Sequence, residues 1–387
     1  MIALARKTLV HEWRRFIPSV FAVGFSGVLL AMQAALVLGI FGSAAVYVTA
    51  SSADIWVGYP GTQSVNFGRS IGRDVEMRVR MDPDVTAVEP YVWIDGDWRA
   101  PAPQSGTSPD THSGGVSIYL SGIGTADDSM MFTQILTPWQ RQRLREPGAV
   151  IVDRADLGSL GTPEGGTAWV NNHAVHIVAA VDGLRGLGGA NVIASLATAR
   201  EIAGSNASTY FVARVRTGAS PEAVQQRLSR TLSPSTSSFG PYEAWTAKSF
   251  ARRSQFYWMF DTGAGAGVLF MALIVCLVGS VVTSQSLKAV VAGSAREYAV
   301  LNALGVSRGA LGRVVIEQAC WIGGLGFVLA ALASAVLLAI AAAYRVPVAL
   351  NLAAVLACAV LVAVLSLLSG LGAMRSLLRA DPATLLR

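Results

Sequence analysis

The sequence predicts a membrane protein with four transmembrane α-helices and one large extracytosolic α+β domain inserted between the first helix and the other three. Three observations carry this reading. Charged residues make up only 14% of the chain and apolar residues 52%, whereas soluble domains sit nearer a quarter charged. The apolar excess is gathered in blocks: 38 uncharged residues separate Arg15 from Asp54, 26 separate Asp261 from Lys288, 27 separate Glu317 from Arg345 and 29 separate Arg345 from Arg375. The stretch between the first two blocks has ordinary polarity and mixed strand and helix patterns.

A helix needs about 20 apolar residues to cross roughly 30 Å of hydrocarbon, and all four blocks are long enough. The first is much longer than the roughly 7–15 residues of a signal-peptide core. It therefore reads as an uncleaved anchor whose surplus length continues outward as a stalk. The expected boundaries are a cytosolic interfacial helix at 1–15, the first span and stalk at 16–50, and the exported α+β domain at 51–242. A stalk and second span follow at 243–287, a cytosolic loop at 288–313, spans at 314–344 and 346–374, and a cytosolic tail at 375–387.

Basic residues set the orientation. Arg6, Lys7, Arg14 and Arg15 precede the first span, Lys288, Arg296, Arg308 and Arg313 lie between the second and third, and Arg375, Arg379 and Arg387 follow the fourth. The same segments hold only Glu12, Glu297 and Asp381 as acids, while the stretch from Asp54 to Asp261 has 18 basic and 20 acidic residues. The positive-inside rule then puts both termini and the 288–313 loop in the cytosol. The overall net charge of +6 is a signal of topology and not of nucleic-acid binding. At the N-terminus, Ile2, Ala5, Leu9 and Trp13 recur at helical spacing among the cations. That suits a helix lying on the cytosolic leaflet or an ordinary cytosolic end of the first span.

Within the exported domain, Thr137-Pro138-Trp139-Gln140 offers a capping box with proline at the first helical position; the helix should stop near Glu146-Pro147-Gly148. Ala149–Val152 reads as a strand. Ala168-Trp169-Val170 and Ala174–Val181 flank Asn171-Asn172, which suits a hairpin because asparagine tolerates left-handed backbone. Tyr210–Arg216 is a strand, and a helix starting at Ser220-Pro221 carries Val224, Leu228 and Leu232. Residues 100–116 and the glycine-rich 183–190 read as loops, the second as a flexible connector. Trp245, Phe250, Phe256, Tyr257 and Trp258 precede the second span, where an aromatic belt would sit at the outer interface.

Several chemistries are not written in the chain. None of its three lysines, Lys7, Lys248 and Lys288, follows a glycine, so there is no P-loop. Cys276, Cys320 and Cys358 all fall inside predicted spans, which leaves the exported domain without a disulfide or a Cys-x-x-Cys framework. His173 and His176 sit in a predicted strand, where i and i+3 point to opposite faces. No catalytic, cofactor-binding or metal-binding residue is therefore expected. The spans hold polar neutrals, Gln33, Gln285, Gln318 and Asn351, rather than the ionisable groups that usually mark ion pathways. Gly263 and Gly267 form a Gly-x-x-x-Gly, and Gly323, Gly324 and Gly326 cluster in the third span; such residues let helices approach closely, within one copy or between two copies.

The 288–313 loop mixes Leu301, Leu304 and Val306 with Arg296, Glu297 and Arg308, as a docking helix along the membrane would. Its segment from Arg296 to Arg308, with Glu297, Leu301, Ala303-Leu304-Gly305 and Ser307, resembles the stretch before the third span in the FtsX-like (MacB-type) permease family of ABC transporters; Tyr298 departs from the family's isoleucine. Leu378-Arg379-Ala380-Asp381-Pro382-Ala383 is similar to the family's closing motif, and the arrangement of one span, a large domain and three spans is that of type VII ABC permeases. Leu4–Leu9, Ala53-Asp54-Ile55-Trp56-Val57 and Pro60-Gly61-Thr62 resemble the DevC-like branch, although haem-exporting permeases share much of the pattern.

The resemblance implies a non-catalytic inner-membrane subunit that binds no cofactor itself. Two copies would pair with two ABC ATPase subunits that bind ATP. A periplasmic adaptor and an outer-membrane channel would complete a tripartite exporter. ATP-driven closure would push on Arg296, Glu297, Leu301, Leu304, Gly305 and Arg308, and the movement would reach the periplasmic domain by mechanotransmission. An alternative within the family is a non-transporting regulator of a periplasmic cell-wall enzyme, or a haem or lipid exporter.

Overall fold

The computed structural model describes residues 13–101, 115–230, 239–293, 308–344, 346 and 348–364. The chain divides into two compact units, Phe41–Gly263 and the combination of Met1–Ile40 with Ala264–Arg387.

The first unit is α+β, with nine strands among its described residues: β1 (Ile55–Gly58), β2 (Val85–Arg99), β3 (Val116–Ile123), β4 (Ala149–Asp153), β5 (Thr167–Val170), β6 (His173–Val181), β7 (Ala190–Ser195), β8 (Tyr210–Val215) and β9 (Glu243–Thr246). Their order is β3-β7-β4-β6-β5-β2-β8-β1-β9, and β3 also pairs with β2. The extra pairing closes β2, β3, β7, β4, β6 and β5 into a ring. The long β2 serves both halves. Residues Val85–Tyr91 pair with β8 and Val92–Trp98 with β3. Pro90, which has no N–H to donate, lies just before the change of partner. Trp98 completes the ring, facing Val116 of β3 on one side and Val170 of β5 on the other. Its indole N–H donates to the Leu160 carbonyl at 3.1 Å, and the side chain is 1% exposed.

Local sequence accounts for the connections. The Thr137–Gln140 capping box forms in both directions, with proline in the first turn of the helix Pro138–Arg143. The hairpin between β5 and β6 turns on Asn171 (φ 47°) and Asn172 (φ 68°), and Asn171 Oδ1 accepts from the Asp97 N–H at 2.9 Å. The helix Pro221–Arg230 buries Val224 and Leu228; Leu232 lies outside the described residues, as does most of the 100–116 loop. Together with the helix Arg73–Arg80, it covers one face of β1 and β8 through Val75, Val79 and Phe211. A second core gathers Trp56, Tyr91, Tyr210 and Phe250, with Trp56 5.6–5.7 Å from each of the other three rings.

Two expectations are corrected here. The first helix, α1 (Trp13–Ser43), does not run on as a stalk: it ends at Ser43, and the short helix Val46–Thr49 buries Tyr47 and Val48 in the α+β core. The domain does not stop at residue 242 either. Glu243–Thr246 is strand β9, and the helix Ala247–Phe256 places Phe250 in the core. Trp245 and Phe250 are thus 5% and 0% exposed. They are core residues and not part of an aromatic belt: pairing of β9 with β1 buries Trp245, and the inward face of the helix Ala247–Phe256 buries Phe250.

The second unit is helical. Among the described residues, three stretches are long and apolar enough to cross a membrane: Phe16–Ser43 in α1, Gly265–Ser286 in Ala264–Gly293, and Ile316–Ala343 in Arg308–Ala343. A further apolar helix is described over Leu352–Val364; the fourth predicted span, 346–374, lies partly outside the described residues.

Candidate functional site

Among the apolar helices, α1 is the hub. Ser19 Oγ donates to the Ser286 carbonyl at 3.2 Å, Ser26 Oγ to the Gly279 carbonyl at 3.4 Å and Gln33 Nε2 to the Val268 carbonyl at 3.5 Å. The partner numbers fall as the α1 numbers rise, so Ala264–Gly293 runs antiparallel to α1. These bonds satisfy polar groups that hydrocarbon cannot. Arg308–Ala343 lies parallel to α1 through small residues. A Cβ built on Gly27 would stand 2.7 Å from Ala330 Cβ, and one on Gly326 would stand 2.7 Å from Val23 Cβ and 3.2 Å from the Gly24 nitrogen. The Leu352–Val364 helix approaches with Cys358 Sγ 3.9 Å from the Leu30 carbonyl, and Asn351 Oδ1 accepts from the Ala354 N–H at 2.8 Å. An apolar cavity of about 230 Å³ between these helices is lined by Gly27, Ala31, Ala330, Ser334, Cys358 and Val362, among others. Leu273, Leu277, Leu332, Val336, Leu356 and Val360 are exposed, as side chains facing lipid are.

The residues expected to couple to an ATPase occupy the segment between Gly293 and Arg308. Arg296, Glu297, Leu301, Leu304 and Gly305 lie outside the described residues; Arg308 is the first residue of its helix. Gly263 and Gly267 do not share a helical face. Gly263 adopts a left-handed φ of 74° and precedes the helix that contains Gly267. Neither has another atom within 4 Å of a built Cβ, and Gly324 is equally open. Of Gly324 and Gly326 in the third span, Gly326 is the one packed against α1.

In the α+β unit, a cluster that sequence reasoning missed surrounds Pro60-Gly61-Thr62. Gly61 takes φ 78°, a conformation natural to glycine, and donates its N–H to Glu243 Oε2 at 2.8 Å. Thr62 Oγ1 donates to the Tyr59 carbonyl at 2.7 Å. Arg253 donates to Glu243 Oε1 at 2.9 Å and to Gln63 Oε1 at 3.0 Å, and lies over the Trp245 ring. Burial pushes the Glu243 carboxyl up, but the bonds from Gly61, Trp245 and Arg253 outweigh it and leave the pKa lowered. The partners come from residues 182 and 190 apart in sequence, so no local pattern could have announced them. The turn borders a polar cavity of about 250 Å³ that also involves Phe67, Arg69 and Tyr257. His173 Nδ1 meets the Asn171 carbonyl at 3.1 Å and His176 Nε2 meets Glu146 at 3.4 Å. Among the described residues, no three metal-ligating side chains converge.

An α+β domain carried between helices long and apolar enough to cross a membrane defines a multi-span membrane protein. Residues 269–382 match the family model described as FtsX-like permease C-terminal. The match takes in most of Ala264–Gly293, the joining segment and the helices after it. No curated protein matches the chain. Among solved structures, the periplasmic region of MacB from Actinobacillus actinomycetemcomitans is similar at 10% identity, over 53% of this chain and 94% of that one, with a TM-score of 0.35. The extracellular domain of the noncanonic ABC-type transporter YknZ from Gram-positive bacteria is similar at 14% identity, over 49% and 98%, with a TM-score of 0.34. A domain of a putative permease protein from Porphyromonas gingivalis is similar at 12% identity, over 52% and 91%, with a TM-score of 0.32.

Proposed function

We propose that the chain is the non-catalytic permease subunit of an ABC exporter that works by mechanotransmission. A separate ATPase, in two copies, binds and hydrolyses ATP on the cytosolic side of the inner membrane. Two permease copies convert its closure into movement of the α+β domain, which acts in the periplasm with an adaptor and an outer-membrane channel. The observation that carries this reading is the FtsX-like permease match over residues 269–382, which includes the joining segment and the helices on both sides of it. The lack of ionisable residues within the apolar blocks supports a route for substrate outside the helices, because a hydrophilic conduit would need them.

The joining segment is the coupling element in this account. It is tied to a span at each end and can transmit a push, which a free tail cannot. Glu297 and Arg308 would pair with charges of the ATPase, with Arg296 beside them in the coupling stretch, and charge pairs at a solvated surface are worth only roughly 0–1 kcal/mol each. Leu301 and Leu304 supply the apolar anchors, and Gly305 belongs to the same coupling stretch. Leu304→Asp should abolish ATPase stimulation and export in a permease that still inserts and folds, and Glu297→Ala should do less harm. A folded Leu304→Asp permease that binds its ATPase and exports normally would remove this segment from the mechanism. Reporter fusions at Ser105 and Gly188 test the orientation: both should report the periplasm, and a fusion at Gly309 the cytosol.

A further inference from the structure

The α+β unit carries an exposed aromatic patch for which its own fold has no use. Phe67 sits in a single helical turn, Val65–Phe67, and is 48% exposed. It stacks on Trp258 with ring centroids 6.0 Å apart and meets Tyr257 edge-on at 5.3 Å. The Trp258 indole N–H donates to Ser64 Oγ at 3.2 Å, which clips the loop to the π-helix Tyr257–Asp261. Phe256 and Phe260 stack 5.6 Å apart, and both are more than half exposed. The Arg69 guanidinium lies 5.3 Å from the centroid of the Tyr59 ring and lines the polar cavity together with Phe67 and Tyr257.

We propose that this patch is a docking surface for the outer leaflet of the membrane, with the aromatic rings at headgroup depth and Arg69 on lipid phosphate. Two independent features point to lipid. The first is chain continuity: Phe260 precedes Gly265, where the span Gly265–Ser286 begins, by five residues, which reach at most about 17 Å even when extended. The second is composition. Tryptophan, tyrosine and phenylalanine beside one arginine are the residues that favour a membrane–water interface, where one end of a ring is apolar and the other wet. The aromatic cluster joins two segments far apart in sequence, so the surface holds the 60–69 loop, and with it the Glu243–Arg253 clasp, to the bilayer. The inference rests on reading 265–286 as a membrane span.

The test places a photoreactive benzoylphenylalanine at Phe67 in the full chain, reconstituted in nanodiscs of phosphatidylethanolamine and phosphatidylglycerol, with Leu273 and Trp169 as reference positions. Adducts are identified by mass spectrometry. Phe67 should label lipid well above Trp169, an exposed residue of the β5–β6 hairpin, and Leu273 should label it strongly. Arg69→Glu should lower the Phe67 yield by about fivefold or more, given the attraction of one cation to an anionic leaflet. It should leave the Leu273 yield unchanged, and Arg69→Lys should retain most of the signal. Labelling at Leu273 with none at Phe67 overturns the docking surface and leaves the span standing. No labelling at Leu273 overturns the span and the inference with it. Adducts from Phe67 to a second copy of the chain in place of lipid also overturn it.

Discussion

Gly324 and Gly326 lie two residues apart on one helix, and alanine should act oppositely at the two. In a helix interior alanine is favoured over glycine by about 1 kcal/mol. A Cβ at Gly324 meets nothing within 4 Å, so Gly324→Ala should gain that amount. At Gly326 the new carbon would stand 2.7 Å from Val23 Cβ and 3.2 Å from the Gly24 backbone nitrogen. Neither is the free end of a flexible side chain, and Val23 is 1% exposed. The only relief is to move α1 and Arg308–Ala343 apart, and overpacking of this kind costs about 1–3 kcal/mol. Gly326→Ala should therefore be neutral to about 2 kcal/mol destabilising, which puts it about 1–3 kcal/mol below Gly324→Ala. Reversible unfolding of the full chain in bicelles, followed by titration with dodecyl sulfate, measures the difference. Equal stability of the two variants would refute the close approach of α1, and Gly27→Ala, facing Ala330, should behave as Gly326→Ala does.

Other perturbations test the α+β unit. Trp98→Ala removes the residue that closes the strand ring and should cost about 3–5 kcal/mol, read as a large fall in the thermal midpoint. Asn172→Val forces a β-branched residue to φ 68° and should cost about 1–3 kcal/mol, while Asn172→Gly should be close to neutral. The Arg227 fork, at 2.7 and 2.9 Å, holds the Asp82 carboxyl below the ordinary carboxylate range. Because the folded pKa lies below the unfolded one, this pair stabilises fully above the unfolded value near 3.9 and its contribution is lost as pH falls through the lower folded value. Asp82→Asn should lower the melting temperature at pH 7 and flatten its decline below about pH 4.

The elements that were legible are those specified by neighbouring residues. The Thr137–Gln140 capping box, the Asn171-Asn172 hairpin and the helix that buries Val224 and Leu228 each need only a short window, and periodicity or turn chemistry states them directly. The apolar spans are legible because hydrocarbon thickness imposes a length that no local packing choice can change. The aromatic residues before the second span were legible only as a class. Trp245, Phe250, Phe256, Tyr257 and Trp258 look alike to a hydropathy argument, and what separates them is that Trp245 pairs with Trp56 across β1 and β9 while Phe256 faces out. For Trp245 that distinction is made by strand register, and for Phe250 by the buried face of the helix Ala247–Phe256. Register depends on a partner some 190 residues away.

Long-range packing also decides that Gly263 is a left-handed turn residue before its helix while Gly326 is a close helix contact. A glycine can mark a close helix contact or a left-handed turn, since the absence of Cβ permits both, and spacing alone does not decide between them. Gly263 takes the turn because the helical run through Phe256 and the following π-helix, Tyr257–Asp261, has to end before Ala264 starts a new helix; a left-handed residue does this at no steric cost. Gly326 takes the contact because α1 presents Val23 and Gly24 to it. The bond from Gly61 to Glu243 belongs with these cases. The residues of Pro60-Gly61-Thr62 are readable as a turn, but the carboxylate that fixes the turn arrives on the last strand of the domain. A segment that looks like a loop signature in sequence is thereby also the latch between the start of the sheet and its final strand.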